Sequence, residues 1–267
     1  KVVATIEWGD LAQTYDGTPK RATAATEPAG LAVEFSYDTP EAPVEAGNHV
    51  VVATVADRNY QGASTGVLAV AKAPATVALS GLEQTYDGTP KRVAATTAPA
   101  GLAVAIDYAG SFEAPVHAGS YAISARIDDD NRAGSAAGVL VVAKGSQTID
   151  FPSIGDRLAT DEIELSATAS RGLPVAFAVA SGPARILDGG RLIFTGAGRV
   201  AIMASQSGDG DWNPAADEVS AFEVSSLMLS ASDINVREGG EGRLFMRLGI
   251  APATNDVVRM VRGEGDA

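Results

Sequence analysis

Nine residues, Gln13-Thr-Tyr-Asp-Gly-Thr-Pro-Lys-Arg21, return letter for letter as Gln84 to Arg92, 71 positions further on. More follows in step. Pro28-Ala-Gly-Leu-Ala-Val33 recurs as Pro99 to Val104, and Ala42-Pro-Val-Glu-Ala-Gly47 as Ala114-Pro-Val-His-Ala-Gly119. Gly66-Val-Leu-Ala-Val-Ala-Lys72 comes back as Gly138-Val-Leu-Val-Val-Ala-Lys144. A repeat this regular sets the architecture before any single residue is interpreted. Hydrophobic residues make up 46% of the 267 positions, but aromatics only 6%. Alanine and valine supply much of the rest, which suits several thin modules better than one large globule.

Within each copy the pattern is that of strands. Leu31, Val33, Phe35 and Tyr37 alternate with Ala32, Glu34 and Ser36, the period of a half-buried strand. His49, Val51, Ala53 and Val55 alternate likewise, and Tyr121, Ile123, Ala125 and Ile127 stand at the matching places of the second copy. Turn chemistry separates the runs at Asp16-Gly17, Thr39-Pro40 and Ala46-Gly47. Glycine and proline interrupt every window long enough for a helix. The expected fold is all-β: tandem antiparallel Ig-like β-sandwich domains in an elongated array.

Four segments result. Residues 1–73 and 74–144 are the two copies, with joins too short to act as floppy linkers. Residues 145–225 form a third sandwich of another subtype, with strands expected over Gln147–Phe151, Ile163–Ala169, Leu173–Val179, Arg191–Phe194, Val200–Ala204 and Ala221–Val224. Its Asp211-Trp212-Asn213 falls where the copies carry Asn59-Tyr60 and Asn131-Arg132. Residues 226–267 supply three more strands, over Leu227–Leu229, Ile234–Leu248 and Asp256–Val261, too few to bury a core alone. They are either a truncated domain or strands that complete a neighbour.

Composition narrows the function classes. Thirty-three acidic residues against 20 basic ones give a net charge of −13. With no basic cluster, nucleic acid is not an expected partner. Without cysteine there is no disulfide framework and no thiolate metal site. No apolar run approaches the roughly 20 residues of a membrane helix, so no membrane insertion is expected within these residues. Neither a signal peptide nor an anchor is recognisable, so the chain reads as a segment of something longer.

Tyr15-Asp-Gly-Thr-Pro-Lys20 and Tyr86-Asp-Gly-Thr-Pro-Lys91, with a downstream Ala-Gly and a closing Asn59-Tyr60, resemble the MBG domains. These are bacterial immunoglobulin-like modules of secreted adhesins and surface proteins. Arg132 departs from the usual aromatic. Residues 145–225 look like a related bacterial Ig-like repeat, through Gln147-Thr-Ile149, Ser170-Arg-Gly-Leu-Pro-Val175 and Gly196-Ala-Gly198. Residues 226–267 are similar to the start of a Calx-beta-like domain, through Val236-Arg-Glu-Gly-Gly240. The resemblance implies an extracellular or bacterial cell-surface location and a non-catalytic structural or adhesive role. Partners would be neighbouring Ig-like domains of the same chain and a host or cell-surface ligand reached through a domain outside this segment. Self-association by strand addition and a ligand-binding accessory module are the rival readings.

Candidate chemistry is sparse. Gly62-Ala-Ser64-Thr-Gly66 fits the nucleophile-elbow spacing, but that elbow needs a helix after it, so a turn is expected instead. Of the two histidines, His49 should pack inward and His117 should be exposed. Asp209, Asp211 and Asn213 have the spacing that opens a calcium loop, although Pro214 replaces its glycine and Ser220 its glutamate. Asp128 and Asp130 belong to a second oxygen-rich loop. These are the candidate calcium ligands, against the expectation of no cofactor and of side chains bonding their own backbone. In the repeated stretch, Asp16-Gly17 and Asp87-Gly88 should turn, Pro19 and Pro90 should set the following entry, and Tyr15 and Tyr86 should cover the core. Lys20-Arg21 and Lys91-Arg92 could alternatively form a recurring recognition surface. No lysine stands out as buried, as a Lys–Asn cross-link would need. Trp8 and Trp212 are expected to pack, with sugar stacking as the alternative.

Overall fold

The computed structural model describes residues 1–231 and 246–251, with side chains described as far as residue 227, and every regular element among them is a strand. The chain is all-β and divides into two compact units, Lys1–Ala143 and Lys144–Ala267.

The first unit holds two copies of one Ig-like sandwich. In the first copy Thr5–Gly9 pairs antiparallel with Thr23–Glu27 to make a small sheet. Against it lies a sheet of order Ala12–Thr14, Ala63–Ala71, Gly47–Val55, Val33–Tyr37. The second copy repeats this with Thr76–Ser80 on Ala94–Ala98, and Glu83–Thr85, Ser135–Ala143, Gly119–Ile127, Val104–Tyr108. The pairing is antiparallel apart from short strands: Ala12–Thr14 runs parallel to Ala63–Ala71 and Glu83–Thr85 to Ser135–Ala143, as Val2–Val3 does to Tyr60–Gln61 and Ala73–Pro74 to Arg132–Ala133.

Alternation decides which side chains go inward. Val51, Ala53 and Val55 are buried along one face of their strand, while Val50 on the other face is 45% exposed. Val51, Leu68 and Val70 of the large sheet meet Trp8, Leu11 and Tyr15 across the first core. Ile123, Leu140 and Val142 meet Leu79, Leu82 and Tyr86 across the second. One residue more separates the copies after Tyr108, and it is absorbed in a turn closed by mutual hydrogen bonds between Tyr108 and Ser111.

The second unit packs a five-stranded sheet (Arg157–Leu158, Glu218–Ala231, Gly198–Ser205, Ala176–Ser181, with Met246–Ala251) on the three-stranded sheet Glu162–Glu164, Arg191–Phe194, Ala184–Leu187. Leu192, Val200, Ile202 and Val224 are fully buried between them, with Phe194 and Phe222 edge to face at 5.9 Å. The strand expected over Gln147–Phe151 is reduced to Ile149–Asp150, paired with Thr168–Ala169. Gln147 instead turns into the interior, donating to the Gln206 side chain and, at 2.8 Å, to the Asn213 carbonyl. The single run expected over Ile163–Ala169 is split into Glu162–Glu164 and Thr168–Ala169. Glu218–Ala231 is continuous through the expected boundary at residue 225, pairing first with Gly198–Ser205 and then with Met246–Ala251. The Calx-beta-like signature Val236–Gly240 and the expected strand Asp256–Val261 lie outside the described residues, as does most of Ile234–Leu248.

Candidate functional site

The repeated nine-residue stretch is a closed local structure. Gln13 Nε2 donates to the carbonyls of Asp10 and Arg21, each at 2.8 Å, and so ties the two ends of the stretch together. Gln84 does the same with Gly81 and Arg92. Asp16 Oδ1 accepts the Thr18 amide at 2.9 Å and the Thr18 hydroxyl at 2.6 Å. Gly17 takes φ +84° and Gly88 φ +87°, a conformation open to glycine but strained for other residues. Tyr15 and Tyr86 lie against their cores.

Lys20 and Lys91 depart from the sequence expectation. They are buried, at 7% and 6% exposure. Each ammonium reaches back to its own turn, Lys20 Nζ lying 2.5 Å from Asp16 Oδ2 and Lys91 Nζ 2.6 Å from Asp87 Oδ1. The lysine hydrogen bond, followed by the threonine hydroxyl and amide, holds both carboxyls well below the usual aspartate range. A buried ammonium needs such a partner. A Lys-Arg recognition pair is therefore not present, and of each pair only Arg21 or Arg92 is exposed.

The other candidates are placed as follows. Ser64 is not in a turn. It lies inside the strand Ala63–Ala71, where its Oγ accepts the indole N–H of Trp8 at 3.0 Å. The elbow spacing calls for a helix after the serine, whereas here the strand runs on to Ala71. Trp8 packs against Phe35 in the first core. Trp212 lies under the Arg171 guanidinium, 4.3 Å from the ring centroid. His49 is half-buried on the inward face, its Nε2 3.1 Å from the Glu45 carbonyl and its Nδ1 3.6 Å from Asp38. His117 is exposed, with its ring stacked on Tyr86 at 6.5 Å.

The oxygen-rich loops share one arrangement. Asp57 Oδ1 accepts the amides of Asn59 and Tyr60, Asp129 Oδ1 that of Asn131, and Asp209 Oδ1 those of Asp211 and Trp212. A lysine caps the carbonyl of each of these aspartates: Lys1 on Asp57 and Lys72 on Asp129, each at 2.6 Å, and Lys144 on Asp209. The residue after each lysine bonds the same loop, Val2 N to Asn59 O, Ala73 N to Asn131 O and Gly145 N to Asp211 O. Asp128 and Asp130 line a cleft of about 480 Å³ together with Lys72, Arg126 and Arg132. Asn213 turns its amide nitrogen to the Lys144 carbonyl, and Ser220 is buried, its Oγ accepting the Ile154 amide. Among the described residues, no group of three or more His, Asp or Glu side chains is placed to hold a metal ion.

Within the first unit this loop also joins the two copies. Asn131 Oδ1 accepts the Ala46 amide at 2.7 Å and Asn131 Nδ2 donates to the Glu45 carboxylate. Arg132, standing where the first copy has Tyr60, holds its guanidinium 5.7 Å from the centroid of the Tyr15 ring. The sequence marked these loops as possible ligand sets because aspartates and asparagines recur there. The lysines recurred too, but nothing in their spacing named a partner.

Small β-sandwiches that repeat their turn, core and joint define a tandem repeat protein. Residues 4–74 and 75–146 each match the MBG domain model, together more than half of the chain, and the chain belongs to that family. No curated protein matches it. Among solved structures it is similar to Drosophila N-cadherin EC1-3 (10% identity, 73% of this chain and 89% of that one, TM-score 0.26). It is similar also to surface layer protein SbsC domains 1–6 (10%, 90% and 42%, TM-score 0.26) and Sidekick-1 immunoglobulin domains 1–5 (12%, 92% and 67%, TM-score 0.29). Likeness this loose carries no functional reading.

Proposed function

We propose that this chain is a non-catalytic spacer from a bacterial cell-surface or secreted protein, a stalk of Ig-like modules that holds a distal adhesive domain away from the cell. One observation carries the reading: the lysine-capped loop at the start of each of the three modules, which in the first unit bonds one repeat to the next. A joint made of hydrogen bonds to fixed main-chain atoms restrains the angle between neighbours, and restraint of angle is what a spacer needs. The acidic surface would keep neighbouring stalks from sticking sideways. The reading names no cofactor: Asp57, Asp129 and Asp209 each turn one carboxylate oxygen onto amides of their own loop.

The test is size-exclusion chromatography with small-angle scattering on residues 1–267, with calcium and with a chelator. An elongated monomer unchanged by chelator is expected. Shortening or bending on chelation would replace the plain spacer by a calcium-stiffened one. Concentration-dependent polymers lost on deleting residues 226–267 would replace it by a filament built by strand addition.

A further inference from the structure

One dipeptide, Asp-Gly, stands at four places in the chain, 16–17, 87–88, 188–189 and 209–210, and the structure treats them differently. The pair is chemically vulnerable, because glycine has no side chain to keep its amide nitrogen away from the preceding carboxyl carbon. Attack by that nitrogen on the aspartate Cγ forms an N–Cγ bond and expels the amide proton and the carboxyl hydroxyl as water, leaving a five-membered succinimide. Water then reopens the ring, and opening at the main-chain carbonyl routes the chain through the side chain as isoaspartate. Atoms balance over the two steps and no oxidant is needed. The protonated acid is the reactive form, since an ionised carboxylate has no hydroxyl to lose. Asp209 turns one oxygen onto two amides of its own loop. In the other three pairs the glycine takes nearly one conformation, φ +84° at Gly17, +87° at Gly88 and +81° at Gly189, so backbone shape does not distinguish them. Cations do. Lys20 Nζ holds Asp16 Oδ2 at 2.5 Å while the Thr18 amide and hydroxyl hold Oδ1. Lys91 and both Thr89 donors converge on Asp87 Oδ1 at 2.5–2.8 Å. Both lysines are buried, so neither ammonium is free to swing into solvent. Asp188 is exposed and its carboxylate meets no donor among the described residues. Arg191, which lines the same cleft, is turned to Glu162 at 3.5 Å.

We propose that Asp188-Gly189 is the site where this chain rearranges spontaneously to isoaspartate, and that Lys20 and Lys91 guard the turns of the two repeats against the same reaction. The lysine keeps the carboxylate in its unreactive, ionised form, and the converging donors restrain its rotation toward the glycine nitrogen. Both guarded carboxyls are held below the usual aspartate range, with the lysine as the first cause. The repeats cannot drop the pair itself: the turn needs a residue at positive φ after an oxygen that caps the threonine amide. An isoaspartate there would add a main-chain carbon inside the loop that Gln13 or Gln84 ties shut. At Asp188 the added carbon falls at the tip of a hairpin, beyond its last strand pair, Leu187 with Arg191. This durability is independent of the spacer role.

The full chain is aged at about pH 5, above the ordinary aspartate value of about 3.9, and isoaspartate is located by mass-spectrometric peptide mapping. In wild type it should accumulate at Asp188 at least about tenfold faster than at Asp16 or Asp87, since each unit by which a carboxyl pKa is lowered cuts the acid fraction about tenfold. Lys20→Met should speed Asp16 by a similar factor and leave Asp87 unchanged, and Lys91→Met should do the reverse. Thr18→Val, which removes one donor and leaves the lysine, should give a smaller rise at Asp16. Val51→Ala opens the same core away from the turn and should leave Asp16 slow. Equal rates at Asp16, Asp87 and Asp188 in wild type would overturn the proposal, as would a Lys20→Met chain in which Asp16 stays slow. A rise at Asp16 in Val51→Ala as large as in Lys20→Met would assign the protection to packing and overturn the lysine's role. If Lys20→Met no longer melts cooperatively, Thr18→Val decides, and no rise at Asp16 there would overturn the guard.

Discussion

The ammonium of Lys72 donates to the main-chain carbonyl of Asp129 at 2.6 Å, across 57 positions of sequence. The same bond links Lys1 to Asp57, and Lys144 to Asp209. In each case the aspartate's own carboxylate is turned back onto its loop, so the lysine meets a carbonyl held in place by an Asx turn.

Lys72→Met should therefore loosen the joint without harming either core. Lys72 is exposed, so global stability should change by less than about 1 kcal/mol. Amide exchange should instead accelerate at Ala73 and Ala75, whose N–H groups bond the Asp129-to-Ala133 segment. Unchanged exchange there would show that the lysine contributes nothing to the seat.

Gly134→Ala should be far more damaging. A methyl group there would fall well inside contact distance of the Ala75 carbonyl oxygen, and at Gly62 it would come within 2.5 Å of the Ala4 carbonyl. The obstacle is main chain, which cannot swing aside. A loss of about 1–3 kcal/mol is expected for Gly134→Ala in urea melts, as for other overpacked sites. Wild-type stability would mean the strand crossing is looser than the geometry implies.

The buried lysines give a pH signature. Folding holds Asp16 and Asp87 below the ordinary carboxyl value of about 3.9, so the unfolded chain binds protons more readily than the folded one. The stabilisation is then fully present above about pH 4 and is lost as pH falls through the folded values. A D16N/D87N double variant should melt below wild type by a constant margin from about pH 8 to pH 5, and the margin should narrow in stronger acid. A margin that widens on acidification would contradict the pairing.

Trp8 and Ser64 separate packing from chemistry. Trp8→Ala should cost up to about 3 kcal/mol, the low end for an aromatic, because a large but partly buried side chain packed on the core is removed. Ser64→Ala should cost about 1 kcal/mol, leaving the indole N–H without its acceptor. Thermal melts of both variants read these losses. Ester hydrolysis by the wild-type protein, abolished by Ser64→Ala, would revive the nucleophile that the strand geometry rejects.

Millimolar calcium should leave the melting midpoint unchanged, because binding to the folded state alone would raise it. Asp209 Oδ1 already accepts two amides of its own loop, and Asp128 and Asp130 share their cleft with three cationic side chains. A calcium-dependent rise that vanishes in Asp209→Ala would assign that loop to the ion.

Much of the molecule is local, and so was legible before any coordinates. The alternation at Val51, Ala53 and Val55 names the inward face, because a strand has a period of two. The Asp16-Gly17 turn is written in residue types, since few side chains but glycine accept φ near +84°. The repeat itself follows from identity alone. What needed the tertiary structure were partners that carry no signature of their own. Lys72 caps a carbonyl, an acceptor every residue possesses, so its recurrence as Lys144 could signal a role but not a contact. Lys20 looks like any surface lysine in sequence, and is buried where its amide bonds the distant Pro43 carbonyl and its ammonium folds back onto Asp16. Asn131 meets Glu45 across 86 positions, a distance over which only the way one sandwich is set upon the next decides what touches. Local conformation follows from the chemistry of neighbouring residues; the joint follows from where two folded surfaces come to rest.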